Sequence, residues 1–315
     1  MKPNIRVSSS IKLSHTTMIL LLGNHADESV KHIGKALSLR DISFVTVNTK
    51  YFIQDIKFSY SPNTNQSKLK IDNHTVETRL IKSAFWIRVH PPIVLPLGSN
   101  LGLSQNIIQQ EANCFLQSFL TLQSVNWCNS WQAYQLHKTK PLQLSMAKQL
   151  GANIPQTIVG NISDEKNKVI RSFECIEKPV HGGYLTRKID TNKLNDNVNL
   201  PSTIQSLVKG TNIRTYIIGH FEFSAEIQTT TIDFRSDQYT KVIRTTLPIE
   251  VRSLAFRIMK ALDMQWTAID WILDEKSEYV FLEANPAPMF VEFEKATGYP
   301  ITESIISMLT TTQDK

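Results

Sequence analysis

The run Ala268-Ile269-Asp270-Trp271-Ile272-Leu273, the polar turn Asp274-Glu275-Lys276-Ser277-Glu278 and the run Tyr279-Val280-Phe281-Leu282-Glu283-Ala284-Asn285-Pro286 read as two apolar, β-prone strands of a hairpin. With the turn centred on Lys276-Ser277, Asp270 falls opposite Glu283. Opposed residues of an antiparallel pair share a face, and Asn285 shares it with Glu283 because the strand period is two. Two carboxylates and an amide oxygen therefore converge inside runs otherwise fit for burial. Such a hard-oxygen set suits Mg²⁺ and leaves room for water and phosphate. A solvated hairpin face with chance acids is the plain alternative. Against it stand the neighbours Ile269, Trp271, Phe281 and Leu282, because uncompensated buried carboxylates are costly.

The chain has 315 residues, 41% hydrophobic and 20% charged, an ordinary globular composition with apolar mass for several subdomains. Net charge is +6 and the pI about 9.1, with the excess scattered rather than gathered in a Lys/Arg block. That suits a polyphosphate or an acidic peptide as well as a merely solvated surface. No basic stripe interleaved with aromatics appears, so no nucleic-acid partner is expected. Cys114, Cys128 and Cys175 form neither a CxxC pair nor an even framework, which fits a reducing compartment with structural thiols. No apolar run approaches the ~20 residues of a membrane span. Met18–Leu22 is too short and too late for a signal segment, so a cytoplasmic protein without a membrane partner is expected.

The first part opens as β-α-β: strand Met18–Leu22, a turn from Gly23 to Asp27, helix Glu28–Arg40 and strand Ser43–Val47. That order implies an α/β fold with a parallel sheet. Residues 57–82 alternate about Ser61-Pro62-Asn63-Thr64-Asn65 as a hairpin. A strand then runs from Ala84 to a stop at Pro91-Pro92. Arg88 and His90 share its face and are left out of the site. Ile107, Ile108, Ala112, Phe115, Leu116, Phe119 and Leu120 recur at helical spacing over 104–123. A further helix runs from about Trp131 through Lys138 and Lys140 to Leu150.

Strand Cys175–Lys178 ends at Pro179 and leads into the loop His181-Gly182-Gly183-Tyr184. Lys178, on a strand before a glycine loop, can lie along a nucleotide's phosphates, while Gly182 and Gly183 let backbone N–H groups approach oxygen. By itself Gly-Gly more often marks a turn. A second hairpin spans Ile213–Ile218, Gly219-His220 and Phe221–Ile227, with Glu222, Ser224 and Glu226 on a polar face. Asp233 and Arg235, two apart on a strand, point the same way. Arg235 can grip a carboxylate at two points, although a surface ion pair is the usual meaning of such a pair.

The stretch Phe281-Leu282-Glu283-Ala284-Asn285-Pro286-Ala287-Pro288-Met289-Phe290, with Phe293-Glu294 and Thr297-Gly298-Tyr299-Pro300-Ile301, resembles the C-terminal signature of ATP-grasp ligases. The nearest look-alikes are the microviridin-type, or graspetide, synthetases that mature ribosomally made peptides. The resemblance runs over nearly the whole chain and is strongest from about Asn129. It implies an ATP-grasp fold in three parts: an N-terminal parallel-sheet pre-ATP-grasp domain over 1–128, a central lobe over 129–208 and a C-terminal lobe with the Mg²⁺ site over 209–315. It implies ATP and Mg²⁺ as cofactors, with Asp270, Glu283 and Asn285 on the metal. Lys140 and Lys178 would contact phosphate, Lys138 being the runner-up for the first. A hinge over Ile204–Gly210 would hold adenine through the backbone at Gln205, Leu207 and Val208. Arg214 would hold the γ-phosphate and the developing acyl phosphate. Arg235 would hold the substrate carboxylate, and Asp233 would orient Arg235 or assist the attacking group.

The implied partner is a precursor peptide of leader and core, with a homodimer as the family default. The implied reaction is activation of a peptide side-chain carboxylate and closure of ester or amide crosslinks. One departure stands out: many relatives follow Asn-Pro with Gly-Gln-Trp/Tyr, where this chain has Ala287-Pro288-Met289-Phe290. A small-molecule or tail-adding ligase, of the glutathione synthase or glutamate-adding kind, is the alternative. A nucleotide-binding protein without turnover is a third reading, against which the complete Asp270/Glu283/Asn285 set argues.

Overall fold

The computed structural model describes residues 6–7, 17–71, 74–94, 104–180, 186–189, 201–229 and 241–311. The chain forms two compact units, Met1–Trp131 with Ala287–Glu294 and Pro300–Lys315, and Gln132–Pro286 with Lys295–Tyr299.

The first unit is built on a five-stranded sheet. Its strands are β1 (Arg6–Val7), β2 (Met18–Leu22), β3 (Phe44–Val47), β7 (Ile81–Trp86) and β8 (Asn126–Cys128), in the order β1-β3-β2-β7-β8. All pairs but β1–β3 are parallel. Every residue of β2 is buried, as a central parallel strand covered on both faces must be. Helix α1 (Glu28–Ser38) follows β2, with the Asp27 side chain accepting from the Ser29 N–H as its N-cap. A short helix α2 (Phe52–Asp55) leads into an antiparallel three-stranded sheet of β4 (Ile56–Ser61), β5 (Gln66–Ile71) and β6 (His74–Glu77). The expected hairpin is thus present with a third strand added. Helix α3 (Gln105–Leu120) packs Phe115 and Phe119 against Phe52 and Phe58.

The second unit starts where one helix was expected and two occur, α4 (Trp131–Lys138) and α5 (Lys140–Gln149). Pro141 causes the break: it lacks the N–H that would bond the His137 carbonyl one turn back, its ring crowds that carbonyl, and it is at home in a helix's first turn. Strands β9 (Thr157–Gly160), β10 (Cys175–Lys178), β11 (Arg187–Lys188) and β12 (Ser202–Ser206) form an antiparallel sheet in the order β11-β10-β12-β9. Helix α6 (Ser163–Ser172) covers it through a cluster of Ile170, Cys175 and Ile204.

A second antiparallel sheet contains β13 (Gly210–Ile218), β14 (Phe221–Gln228), β15 (Lys241–Thr245), β16 (Trp266–Asp274) and β17 (Tyr279–Asn285), in the order β15-β14-β13-β16-β17. Helix α5 and helix α7 (Ile249–Ala261) bury one of its faces, where Leu144, Ala147, Ala255 and Ile258 meet Ile213, Ile217, Ile269, Trp271, Phe281 and Ala284. The face read as polar on β14 is this covered one. Ser224 is 1% exposed and bonds both Thr215 and Glu222, while Arg252 of α7 lies 3.8 Å from Glu222. Packing by α7 therefore converts an alternating strand into a buried one with an internal polar chain. The protein closes with α8 (Val291–Thr297) and α9 (Ile301–Thr310). In the first unit α9 accepts the Ser83 hydroxyl of β7 on the Leu309 carbonyl at 2.7 Å.

Among the described residues no helix is long and apolar enough to cross a membrane. The three cysteines are free.

Gly210 opens β13 at φ +151°, and a Cβ there would lie 2.1 Å from the Leu273 carbonyl oxygen. Gly160 has open space around its Cβ direction and an ordinary φ. Gly210→Ala is expected to cost roughly 2–5 kcal/mol, from backbone strain and overpacking together. Gly160→Ala should stay within about 0.5 kcal/mol of the parent. Urea midpoints of both variants check this; equal midpoints would contradict it.

Candidate functional site

The hairpin of β16 and β17 places Asp270 opposite Glu283 and Ala268 opposite Asn285. The route differs from the sequence expectation. Leu273 pairs with Tyr279 across a loop centred on Lys276, with Ser277 at φ 65°. The Asp274 side chain accepts from the N–H groups of Lys276 and Glu278. Leu273 would face Val280 across the expected turn, so the observed loop is one residue shorter and alone would set Asp270 against Leu282. A bulge between Asp270 and Trp271 leaves Leu282 as the extra residue and restores the Asp270–Glu283 pairing. Next along the sheet, Arg214 of β13 pairs with Asp270. Arg214, Asp270, Glu283 and Asn285 thus share the face opposite the α5/α7 core.

Each carboxylate on this face has its own cation. The Arg214 Nε lies 3.2 Å from Asp270 Oδ1, with Nη2 3.5 Å from Oδ2, and both side chains are only 15% exposed. Lys140, the first residue of α5, donates to Glu283 Oε2. Burial alone would raise the Glu283 pKa. The Lys140 charge and hydrogen bond outweigh it and hold the carboxyl well below the usual range. Burial and the Lys140 charge push His137 down, so it is a neutral imidazole near pH 7. Its Nδ1 lies 3.1 Å from the Ala284 carbonyl, a contact that fits an Nδ1–H donor. Lys138 points elsewhere, over the Tyr134 ring at 4.5 Å. Of the two candidate lysines, only Lys140 reaches the carboxylates.

Lys178, at the end of β10, donates to Gln205 Oε1 at 2.8 Å, and Gln205 Nε2 donates to Thr157 Oγ1 at 3.1 Å. Gln205 is 3% exposed, so its side chain braces a lysine from inside the sheet. The Ser206 N–H is bound to the Gln156 carbonyl and the Leu207 N–H to the Glu174 carbonyl, at 2.8 and 2.7 Å. Gly182, Gly183, Asp233 and Arg235 lie outside the described residues.

Two features escaped the sequence reading. The first is Gln143 on α5, 1% exposed, which grips Ala284 between the two ligand candidates of β17. Its Oε1 accepts the Ala284 N–H at 2.9 Å and its Nε2 donates to the Ala284 carbonyl at 2.8 Å. The second is Arg244 of β15, opposite Ala225 and on the same face as Arg214. Its guanidinium donates to the Thr297 carbonyl and stacks over Tyr299 at 4.6 Å. A lone polar residue in an amphipathic helix gives no sequence signal for the first, and an isolated exposed arginine gives none for the second.

The donor set fits a hard cation: two carboxylates and an amide on one face, each acid already drawn to a positive charge. Among the described residues no group of three His, Cys, Asp or Glu side chains is assembled anywhere, so a softer transition-metal centre has no candidate there.

Residues 188–309 match the family model described as RimK-like ATP-grasp domain. No curated protein sequence matches the chain. Among solved structures, the macrocyclase MdnC bound with precursor peptide MdnA from Microcystis aeruginosa MRC superposes with TM-score 0.81 at 20% identity, covering 95% of this chain and 100% of that one. ATP-grasp ligase PsnB complexed with minimal precursor gives 0.78 at 21%, covering 93% and 99%. A Chryseobacterium gregarium RiPP-associated ATP-grasp ligase, in complex with ADP and a leader and core peptide, gives 0.75 at 18%, covering 93% and 96%. The chain therefore has the ATP-grasp fold.

Gln143→Leu strands the Ala284 N–H and removes one of two donors from its carbonyl. It is expected to cost about 2–4 kcal/mol, read from urea unfolding, and an unchanged midpoint would contradict the clamp. The Glu283–Lys140 pair adds a pH term. A folded carboxyl pKa below the unfolded one contributes stability above pH 4.5, the ordinary value, and loses it as pH falls toward the folded value. Stability should therefore fall more steeply below pH 4.5 in the parent than in Glu283→Gln; parallel curves would sink that assignment.

Proposed function

We propose that this protein is an ADP-forming ligase that activates a carboxylate on a ribosomally made precursor peptide and closes an ester or amide crosslink. The observation that carries this reading is the ion-paired face of Arg214, Asp270, Glu283, Asn285 and Lys140 on an ATP-grasp fold. The peptide enters from the comparisons: MdnC, PsnB and the Chryseobacterium ligase are described with precursor, leader or core peptides bound. Within it, residues 129–208 and 209–315 act as the two lobes around ATP, and residues 1–128 precede them.

Asp270, Glu283 and Asn285 would hold Mg²⁺. Bound there with ATP, the ion supplies neutralisation of the β- and γ-phosphate charge. The chain's own groups do the rest. With Glu283 on such an ion, Lys140 would turn toward phosphate, with Arg214 beside it on the same face. Lys178, held by Gln205, adds a third cation. Val208, whose backbone makes no hydrogen bond among the described residues, offers adenine a donor and an acceptor. Arg235 grips the carboxylate to be activated and Asp233 orients it. The carboxylate oxygen attacks the γ-phosphorus and ADP leaves. A hydroxyl or amine of the same peptide then attacks the acyl carbon and inorganic phosphate leaves, so one water is lost per crosslink.

The alternative is a ligase that joins a free amino acid or small amine to a carboxylate. The RimK-like match and the D-alanyl-alanine synthetase A of Vibrio cholerae, similar at TM-score 0.63, favour keeping it. Mass spectrometry of a candidate precursor incubated with the protein, ATP and Mg²⁺ separates the two. The proposal expects loss of one water per bond, dependent on the leader segment, with ADP formed. An unchanged peptide, with ADP formed only when free amino acids are supplied, would overturn it. Glu283→Gln should lower turnover at least about 100-fold, whereas Lys138→Ala should leave it within a few-fold.

A further inference from the structure

The five-stranded sheet of the first unit has a reversal in its strand order. From β2 the chain crosses through α1 to β3 on one side. From β7 it crosses through α3 to β8 on the other. β2 and β7 are adjacent and parallel. Right-handed crossovers in opposite directions put α1 and α3 on opposite faces, which opens a crevice past the carboxyl ends of β2 and β7. A cavity of about 290 Å³ lies there, lined by Asn24 after β2, Asn48 and Lys50 after β3, and His90, Pro91 and Ile93 after β7.

The crevice is built rather than incidental. Thr49, fully buried, donates its hydroxyl to the His90 carbonyl and accepts the His90 N–H, both at 2.8 Å. The Ile93 N–H donates to the Lys50 carbonyl at 2.8 Å, and Gln54 Nε2 donates to the Ile93 carbonyl at 2.6 Å. The loop after β7 is thereby fixed to the loop after β3. Asn48 is 7% exposed, and its Oδ1 is committed to the Lys50 N–H at 3.2 Å. Its Nδ2 then has no acceptor among the described residues, and Asn48 is one of the residues that line the cavity. Asn24 is spent likewise at Oδ1, on the Ala26 N–H at 3.0 Å, leaving a second amide donor.

The charges agree with the donors. None of the six lining residues is acidic, and Lys50 pairs with no acid among the described residues. Burial first, and then the nearby charges of Arg88 and Lys50, push the His90 imidazole below its ordinary value. Arg88 is turned to Asp27, 3.6 Å away, and does not line the cavity.

We propose that this crevice binds the carboxylate of an acidic peptide side chain. Lys50, the Asn24 and Asn48 amides and His90 would hold the oxygens, and Pro91 and Ile93 would cover the methylene stem. That apolar wall favours a side chain over inorganic phosphate, and the volume suits one residue rather than a nucleotide. The peptide as source rests on the function proposed above; the carboxylate site itself does not.

The test uses the full chain, without ATP or Mg²⁺, titrated with N-acetyl-glutamate α-amide. The His90 ring signals are followed by NMR and assigned by their loss in His90→Gln. The proposal expects a saturable shift, weakened about tenfold or more in Lys50→Met and in Asn48→Asp, each of which removes a charge-assisted or neutral donor. The absence of a saturable shift would overturn it, as would equal affinity in both variants or equal affinity for the neutral N-acetyl-glutamine α-amide. Tighter binding of inorganic phosphate would overturn the side-chain assignment in favour of a free anion. A saturable carboxylate shift in a protein that never forms ADP would uphold the crevice and overturn the ligase reading. Crosslinking with ADP formed, but without any shift, would do the reverse.

Discussion

Two half-buried carboxylates on one sheet face are tolerable only because each carries its own cation. Asp270 is held by Arg214 along two nitrogens, and Glu283 by Lys140. Taking either acid out of water unpaired would cost several kcal/mol. The two cations differ in kind. Arg214 is planar and permanently charged, and it lies on the neighbouring strand, so its pairing is part of the sheet. Lys140 sits on a flexible stem at the start of a helix and can change partner. A divalent ion arriving at Glu283 would free Lys140 for another anion, and a phosphate brought by the same ligand is that anion.

The face depends on an edge strand kept in register. Among the described residues β17 has a partner strand, β16, on one side only, and helix α5 with Asn153 just beyond it supplies what a missing strand would. Gln143 imitates a backbone partner for Ala284, and the Asn153 carbonyl accepts the Phe281 N–H at 2.8 Å. The same helix delivers Lys140 three residues before Gln143, so one element neutralises Glu283 and fixes the residue beside it. Edge strands are otherwise prone to slip, and a one-residue slip would turn Glu283 and Asn285 toward the apolar core.

Much of this was legible in the sequence, for identifiable reasons. Period two in two short apolar runs is enough to gather Asp270, Glu283 and Asn285 on one face, and the buried run Met18–Leu22 announces a parallel sheet. The turn is one residue tighter than a centre on Lys276-Ser277 predicts. The result survived because the bulge at Asp270/Trp271 cancels that residue, and nothing in local propensity reveals a bulge. The break between α4 and α5 was written in Pro141 and is clear once Pro is read as a first-turn residue. The buried polar chain of Glu222 and Ser224 was not legible, because it depends on α7 covering that face. Gln143 and the crevice beyond β2 and β7 are likewise products of tertiary packing. Each joins residues more than twenty positions apart whose types are unremarkable alone.

The most direct test of the account is whether a divalent ion and a nucleotide meet on this face. Electron paramagnetic resonance of Mn²⁺ in the presence of ADP reads the bound ion without requiring the substrate. The account predicts saturable, nucleotide-dependent uptake of Mn²⁺ that is lost in Asp270→Asn/Glu283→Gln and weakened in Lys140→Met. Uptake of Mn²⁺ with ADP at parental affinity in the doubly substituted protein, still folded, would contradict it and place the nucleotide elsewhere.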